Sequence, residues 1–85
     1  MIHNFPETRF TKNTENGQII HILTEAEEVK EEFYRQNRDD EALWDELADL
    51  FHSLETLSRI NPKKWESAML RVFAKNVARE YYTIE

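Results

Sequence analysis

Two segments separated by a short polar break decide the fold: IIHILTEAEEVKEEF at residues 19–33 and EALWDELADLFHSLETLSRI at residues 41–60. In each segment apolar residues return at intervals of three and four, which is the periodicity of an amphipathic α-helix. The pattern predicts helices over residues 18–36 and 41–59. Because the break between them is short, we expect an antiparallel hairpin, with Asp39 or Asp40 capping the second helix.

A third helix is predicted to follow Asn61-Pro62, since asparagine favours the N-cap and proline the first helical position. The predicted fold class is therefore all-α, a small bundle of three helices per chain over residues 18–85. Residues 1–17 are predicted to form an extended lead-in, with Asn16-Gly17 indicating a turn. A chain of 85 residues with two Trp, three Tyr and five Phe can hardly bury its apolar surface alone. We expect oligomerisation to complete the core.

Composition narrows the class of protein. The formal net charge is −6, from 17 acidic against 11 basic residues, which disfavours a protein that grips nucleic acid through its phosphates. The chain has no cysteine, so disulfides and thiolate metal sites are excluded. The N-terminus shows no signal-peptide pattern and no apolar run is long enough to span a bilayer, so we expect a cytoplasmic protein that does not engage the membrane.

Two pairs of carboxylates, each spaced by three residues, lie beside the predicted apolar stripes: Glu25 with Glu28, and Glu46 with Asp49. The wheel turns Glu27 and Glu31 towards solvent, which selects Glu25/Glu28 over the overlapping pair Glu28/Glu31. Asp45 and His52 fall on the opposite, wetter side of the second helix. In so acidic a chain such pairs also arise by chance, so an ordinary solvated margin remains the alternative to a site.

If the two pairs face each other, they suit a hard divalent cation, because Mg²⁺ prefers oxygen ligands. We expect Mg²⁺ as the cofactor, or Mn²⁺ in its place. A spare carboxylate, Glu28 or Glu32, would then take a proton from an attacking water. His21 precedes Glu25 by one turn and is a candidate for substrate contact, although a lone histidine at such a position is more often a packed, hydrogen-bonded residue.

The third helix carries a second candidate set, Lys75, Asn76 and Arg79. Asn76 is predicted near the middle of the apolar face, where a buried amide needs hydrogen-bond partners. Lys75 and Arg79 lie on one side of it and suit phosphate oxygens. The alternative is an interhelical hydrogen bond at Asn76 beside two surface cations.

HILTEAEEV followed by DELADLF resembles the MazG-type, all-α nucleoside triphosphate pyrophosphohydrolases, whose signature is ExxE, a variable gap and ExxD. KNVAREYY is similar to the basic segment on a later helix of these enzymes. The resemblance covers about residues 18–82 and is strongest to short phage and prophage members, but their usual first helix is shortened or replaced here.

The resemblance implies Mg²⁺-dependent hydrolysis of a (deoxy)nucleoside triphosphate to the monophosphate and pyrophosphate. It assigns the metal to Glu25, Glu28, Glu46 and Asp49, and phosphate contacts to Lys75, Asn76 and Arg79. It also implies a homodimer or homotetramer. Two alternatives stay open: a phosphoribosyl-ATP pyrophosphohydrolase, and a non-catalytic helical interaction module of phage type.

Overall fold

The computed structural model describes residues 3–83, and in that range the chain is helical, with no β-strand. A short 3-10 helix covers Arg9–Lys12, and three α-helices follow: α1 (Glu15–Tyr34), α2 (Asp40–Ile60) and α3 (Pro62–Ala78). α1 and α2 pack against each other as a hairpin, and α3 packs against α2. The predicted all-α bundle is confirmed.

The helices begin at side-chain caps. Asp39 Oδ1 accepts the Ala42 N–H at 3.2 Å, and Asn61 Oδ1 accepts the Lys64 N–H at 3.2 Å, both as the sequence predicts. Thr14 Oγ1 accepts the Gly17 N–H at 3.0 Å. Since this cap satisfies an orphan donor of the first turn, α1 starts three residues earlier than predicted.

The lead-in over residues 1–17 was therefore predicted too long. Asn16-Gly17 lies in the first turn of α1 instead of forming a turn before it, and part of the preceding chain is 3-10 helix. Residues 1 and 2 lie outside the described range. We call residues 3–13 the N-terminal segment.

The face of α1 that packs within the chain coincides only in part with the predicted apolar stripe. Its buried residues are polar and return every seven positions: Gln18, Glu25 and Glu32. The predicted apolar stripe is divided: Ile22, Ala26 and Val29 are half-buried, whereas Leu23 and Phe33 are 63% and 50% exposed. The helix is apolar over more than one edge, so periodicity located the helix without showing which edge meets α2.

Leu43 is the one buried hydrophobic residue within the described range. Exposed large apolar side chains are found on each α-helix, including Ile20, Leu23, Trp44, Leu70, Phe73 and Val77. The start of α3 is held in place by polar contacts: Asn61 Nδ2 donates to Glu15 Oε1 at 2.9 Å and Lys64 Nζ lies 3.0 Å from Glu15 Oε2. Within residues 3–83 no helix is long and apolar enough to cross a bilayer.

Candidate functional site

A cleft of about 320 Å³ lies where α1, α2 and the N-terminal segment meet. α1 lines it with Gln18, His21, Thr24, Glu25 and Glu28, α2 with Asp49, His52, Ser53 and Thr56, and the N-terminal segment with Thr8 and Phe10. Three of the four predicted carboxylates are among these residues. The lining is acidic towards Glu28 and Asp49 and uncharged at Thr8, Phe10 and Thr56.

Glu25 is buried at the seam and already has protein partners. His21 Nε2 lies 2.6 Å from Glu25 Oε1, and Ser53 Oγ donates a hydrogen bond to the same oxygen. Both contacts fall on Oε1 and fix the rotamer of the side chain. Ser53 thus joins α2 to the carboxylate that α1 contributes, so His21 acts first as a partner of Glu25.

The second predicted pair, Glu46 and Asp49 of α2, faces Glu25 and Glu28 of α1. Partial burial raises the pKa of the Glu46 carboxyl, and the negative charges of Glu28 and Asp49 raise it further, with a smaller effect from Glu25. A hydrogen bond between the carboxyl groups of Glu46 and Glu28, which needs one of them protonated, adds to the effect. The four predicted acids therefore form one electrostatic group across the α1–α2 seam.

The donor set fits a hard cation chemically, because an ion would remove the repulsion that raises the Glu46 pKa. As the side chains stand, no three His, Asp or Glu residues between positions 3 and 83 converge closely enough to hold an ion. Glu28 and Asp49 are exposed, whereas Glu25 is fixed by its two partners. Glu28 and Asp49 are thus the members whose rotamers can adapt to an ion.

Glu32, predicted as an alternative base, lies at the far end of α1. Its carboxylate is buried, contacts Arg35 Nη1 at 3.0 Å and accepts the Asp39 N–H at 3.2 Å. It does not line the cleft. These contacts connect the end of α1 to the cap of α2, so Glu32 stabilises the hairpin connection.

Lys75, Asn76 and Arg79 lie in the last turns of α3 and at its C-cap, and none of them lines the cleft of its own chain. Asn76 is half-buried, and its Nδ2 donates to Tyr82 Oη at 3.5 Å. The Arg79 guanidinium lies 5.8 Å from the centroid of the Tyr81 ring. The structure thus leaves the basic set apart from the acids.

Sequence reasoning missed the buried carboxylate of Glu55 and the cleft position of His52. Glu55 accepts the backbone N–H groups of Asn4 at 2.6 Å and Phe5 at 3.0 Å. His52, predicted on the wetter side, lines the cleft and stacks on the Phe5 ring at 4.4 Å between centroids. The partners are a backbone and a distant ring, so no spacing in the sequence indicated either role.

Comparisons of the chain with protein-family models, with curated proteins and with solved structures find no match.

Proposed function

We propose that this chain is a Mg²⁺-dependent nucleoside triphosphate pyrophosphohydrolase that converts a (deoxy)nucleoside triphosphate and water to the monophosphate and pyrophosphate. The observation that carries the proposal is the acidic group at the α1–α2 seam. Glu28 and Asp49 line the cleft, Glu25 is fixed beside them, and the pKa of Glu46 is raised by its neighbours. The MazG-type signature in the sequence names the same four residues.

The four carboxylates share one ion in this proposal, and Glu28 has a second part. Glu25, Glu28, Glu46 and Asp49 would hold the ion, with Glu25 kept in position by His21 and Ser53. Mg²⁺, when bound, would offset the negative charge of the polyphosphate and polarise the phosphoryl group under attack. Glu28 is exposed at the cleft wall and is our candidate to accept the proton of the attacking water.

Glu32 is a weaker candidate for the base than Glu28. Its two carboxylate oxygens are occupied by Arg35 and by the Asp39 N–H. A base must lie within hydrogen-bond reach of the water it deprotonates. We therefore propose a structural role for Glu32 at the helix connection.

We infer that a second copy of the chain covers the exposed apolar surface and brings the basic set of α3 towards the acids. Met69, Leu70, Phe73 and Val77 of α3 are 55%, 70%, 58% and 52% exposed. A contiguous apolar surface of this kind is typical of an interface. Lys75 and Arg79 lie at the C-terminal end of the same helix and would complement an acidic cleft. Light scattering should show a dimer or tetramer, and a stable, folded monomer at micromolar concentration would contradict this inference.

The reaction is tested by measuring pyrophosphate release from ribo- and deoxyribonucleoside triphosphates and from phosphoribosyl-ATP, with and without Mg²⁺. We expect release of pyrophosphate that requires Mg²⁺. Turnover of phosphoribosyl-ATP alone would favour the alternative enzyme. No release from any nucleotide would favour the non-catalytic interaction module.

A further inference from the structure

The N-terminal segment forms one wall of the cleft. Thr8 and Phe10 line the cavity together with residues of α1 and α2. The Arg9–Lys12 3-10 helix packs against α2, and Thr8 caps it by accepting the Phe10 N–H at 3.2 Å. This wall therefore has its own local structure, which sets the position of the Phe10 ring.

Buried polar contacts hold the wall against α2. Glu55 accepts two backbone N–H groups of the N-terminal segment, and Arg59 Nη2 donates to the Phe5 carbonyl at 2.7 Å. The Phe5 ring stacks on His52, with 20° between the planes. Charge-assisted hydrogen bonds of this kind are among the stronger ones, so the segment is a fixed part of the cleft.

Phe10 places a partly exposed ring next to the acidic end, with the Arg9 guanidinium 5.0 Å from the ring centroid. The Phe10 side chain is 41% exposed, although the residue lines a cavity. The ring lies 6.1 Å from the His21 imidazole, with 23° between the planes, and His21 contacts Glu25 directly. One ligand lying in the cleft would meet both the flat ring and the carboxylates.

We propose that Phe10 and the adjoining uncharged wall form the subsite for the nucleobase of the substrate; this rests on the proposed function above. The acidic end requires a cation and therefore suits the phosphate part of a ligand. The uncharged end offers the partly exposed Phe10 ring, while the Thr8 hydroxyl accepts the Phe10 N–H and the Thr56 hydroxyl donates to the His52 carbonyl. A flat heterocycle fits that end, because aromatic side chains stack on bases of any sequence.

The subsite is tested by calorimetric titration of ATP, CTP and inorganic tripolyphosphate in the presence of Mg²⁺. The proteins are the parent chain, Phe10→Ala, Phe10→Trp and the control Tyr34→Ala, which removes an aromatic ring that is 74% exposed outside the cleft. Phe10→Ala should weaken the binding of both nucleotides by about 5- to 150-fold, the loss typical of a stacked base, and leave the affinity for tripolyphosphate unchanged. Phe10→Trp and Tyr34→Ala should bind nucleotides like the parent.

Equal nucleotide affinities of Phe10→Ala and the parent would overturn the subsite. So would an equal loss of tripolyphosphate binding, because Phe10 would then only support the fold. Phe10-dependent nucleotide binding without pyrophosphate release would keep the subsite and contradict the proposed reaction. Pyrophosphate release with an unchanged KM in Phe10→Ala would keep the proposed reaction and contradict the subsite. A parent chain that binds none of the three probes would overturn the subsite and the reaction together.

Discussion

Glu46 and Glu55 lie on the same helix, yet their surroundings affect the two carboxylates in opposite ways. Burial and the neighbouring charges of Glu28 and Asp49 raise the pKa of Glu46. Burial on its own would raise the pKa of Glu55, but the N–H groups of Asn4 and Phe5 outweigh it and hold that pKa below its ordinary value. Glu46 is surrounded by other carboxylates, whereas Glu55 is surrounded by N–H donors.

The difference separates a binding role from a structural one. A buried carboxylate that accepts backbone N–H groups is stable as an anion without any ligand. A carboxylate crowded by others is stabilised by a bound cation, or by a proton that neutralises it. The acidic group at the α1–α2 seam is thus where we expect ligand binding, and Glu55 of α2 fixes the N-terminal segment.

The largest expected effect comes from the crowded carboxylates at the α1–α2 seam. Glu28→Gln removes a negative charge, an ion ligand and the proposed base while keeping the size of the side chain. We expect kcat for pyrophosphate release to fall by about 10²- to 10⁴-fold, the range for loss of a general base. Glu27→Gln is the matched control, because Glu27 is exposed and outside the cleft. Equal activity of the two variants would remove the distinction.

Substitution of Glu55 should change the stability of the fold and leave ion binding unchanged. Glu55→Gln replaces one accepting oxygen by an amide NH₂, so either Asn4 or Phe5 loses its acceptor. We expect the midpoint of thermal unfolding to fall by several degrees and the amides of Asn4 and Phe5 to exchange faster with solvent. Asp45→Asn, an exposed change on the same helix, should do neither. Unchanged exchange at Asn4 and Phe5 would show that Glu55 does not hold the segment.

The pH dependence gives the sign of the Glu55 contribution. Because the pKa of Glu55 is lower in the folded chain than its ordinary value of 4.5, its stabilisation is complete above pH 4.5 and is lost as pH falls through the folded pKa. The difference in unfolding midpoint between the parent and Glu55→Gln should be constant near neutrality and shrink below about pH 4.5. Hydrogen bonds from Asn61 and Lys64 also lower the pKa of Glu15, but this effect is common to both proteins. A difference that grows on acidification would contradict the assignment.

The smallest effect is expected at Glu46 without metal. Because its pKa is raised in the folded chain, the ionised carboxylate opposes folding above that pKa, and the penalty disappears on acidification. Glu46→Gln should therefore raise the unfolding midpoint slightly at pH 7 in the presence of a chelator, and give no gain at pH 4. A lower midpoint at pH 7 would show that Glu46 is satisfied like Glu55.

The sequence predicted the helices because their signals are local. The Asn61-Pro62 start of α3 and the aspartate cap of α2 depend on residues a few positions apart, and both agree with the structure. The rotation of α1 about its axis depends on long-range packing. Gln18, which is only 1% exposed, donates from Nε2 to the Ser53 carbonyl at 3.0 Å. Because the acceptor on α2 is a backbone carbonyl, no pattern of side chains in α2 indicates this contact.

The candidate site likewise has one part that local sequence patterns predict and another that depends on long-range packing. The carboxylates of Glu25, Glu28 and Asp49 share a cleft because spacing by three and four keeps residues on one side of a helix. The wall at Phe10 comes from a segment without periodicity that is docked through Glu55, so its position could not be predicted from pattern. Glu32 has the spacing expected of a residue at the cleft edge. Its carboxylate instead contacts Arg35 at the helix connection, and a helical wheel does not include this contact.

Thermal unfolding with and without Mg²⁺ tests the central claim most directly. The proteins are the parent, Glu28→Gln, Asp49→Asn, and the exposed controls Glu27→Gln and Glu31→Gln. An ion that binds only the folded chain stabilises it by RT ln(1 + [L]/Kd), about 2.7 kcal/mol at 100 times Kd. We predict that Mg²⁺ raises the unfolding midpoint of the parent and both controls but not of Glu28→Gln or Asp49→Asn. An equal response from all five proteins, or none from the parent, would contradict the metal site and the proposed enzyme.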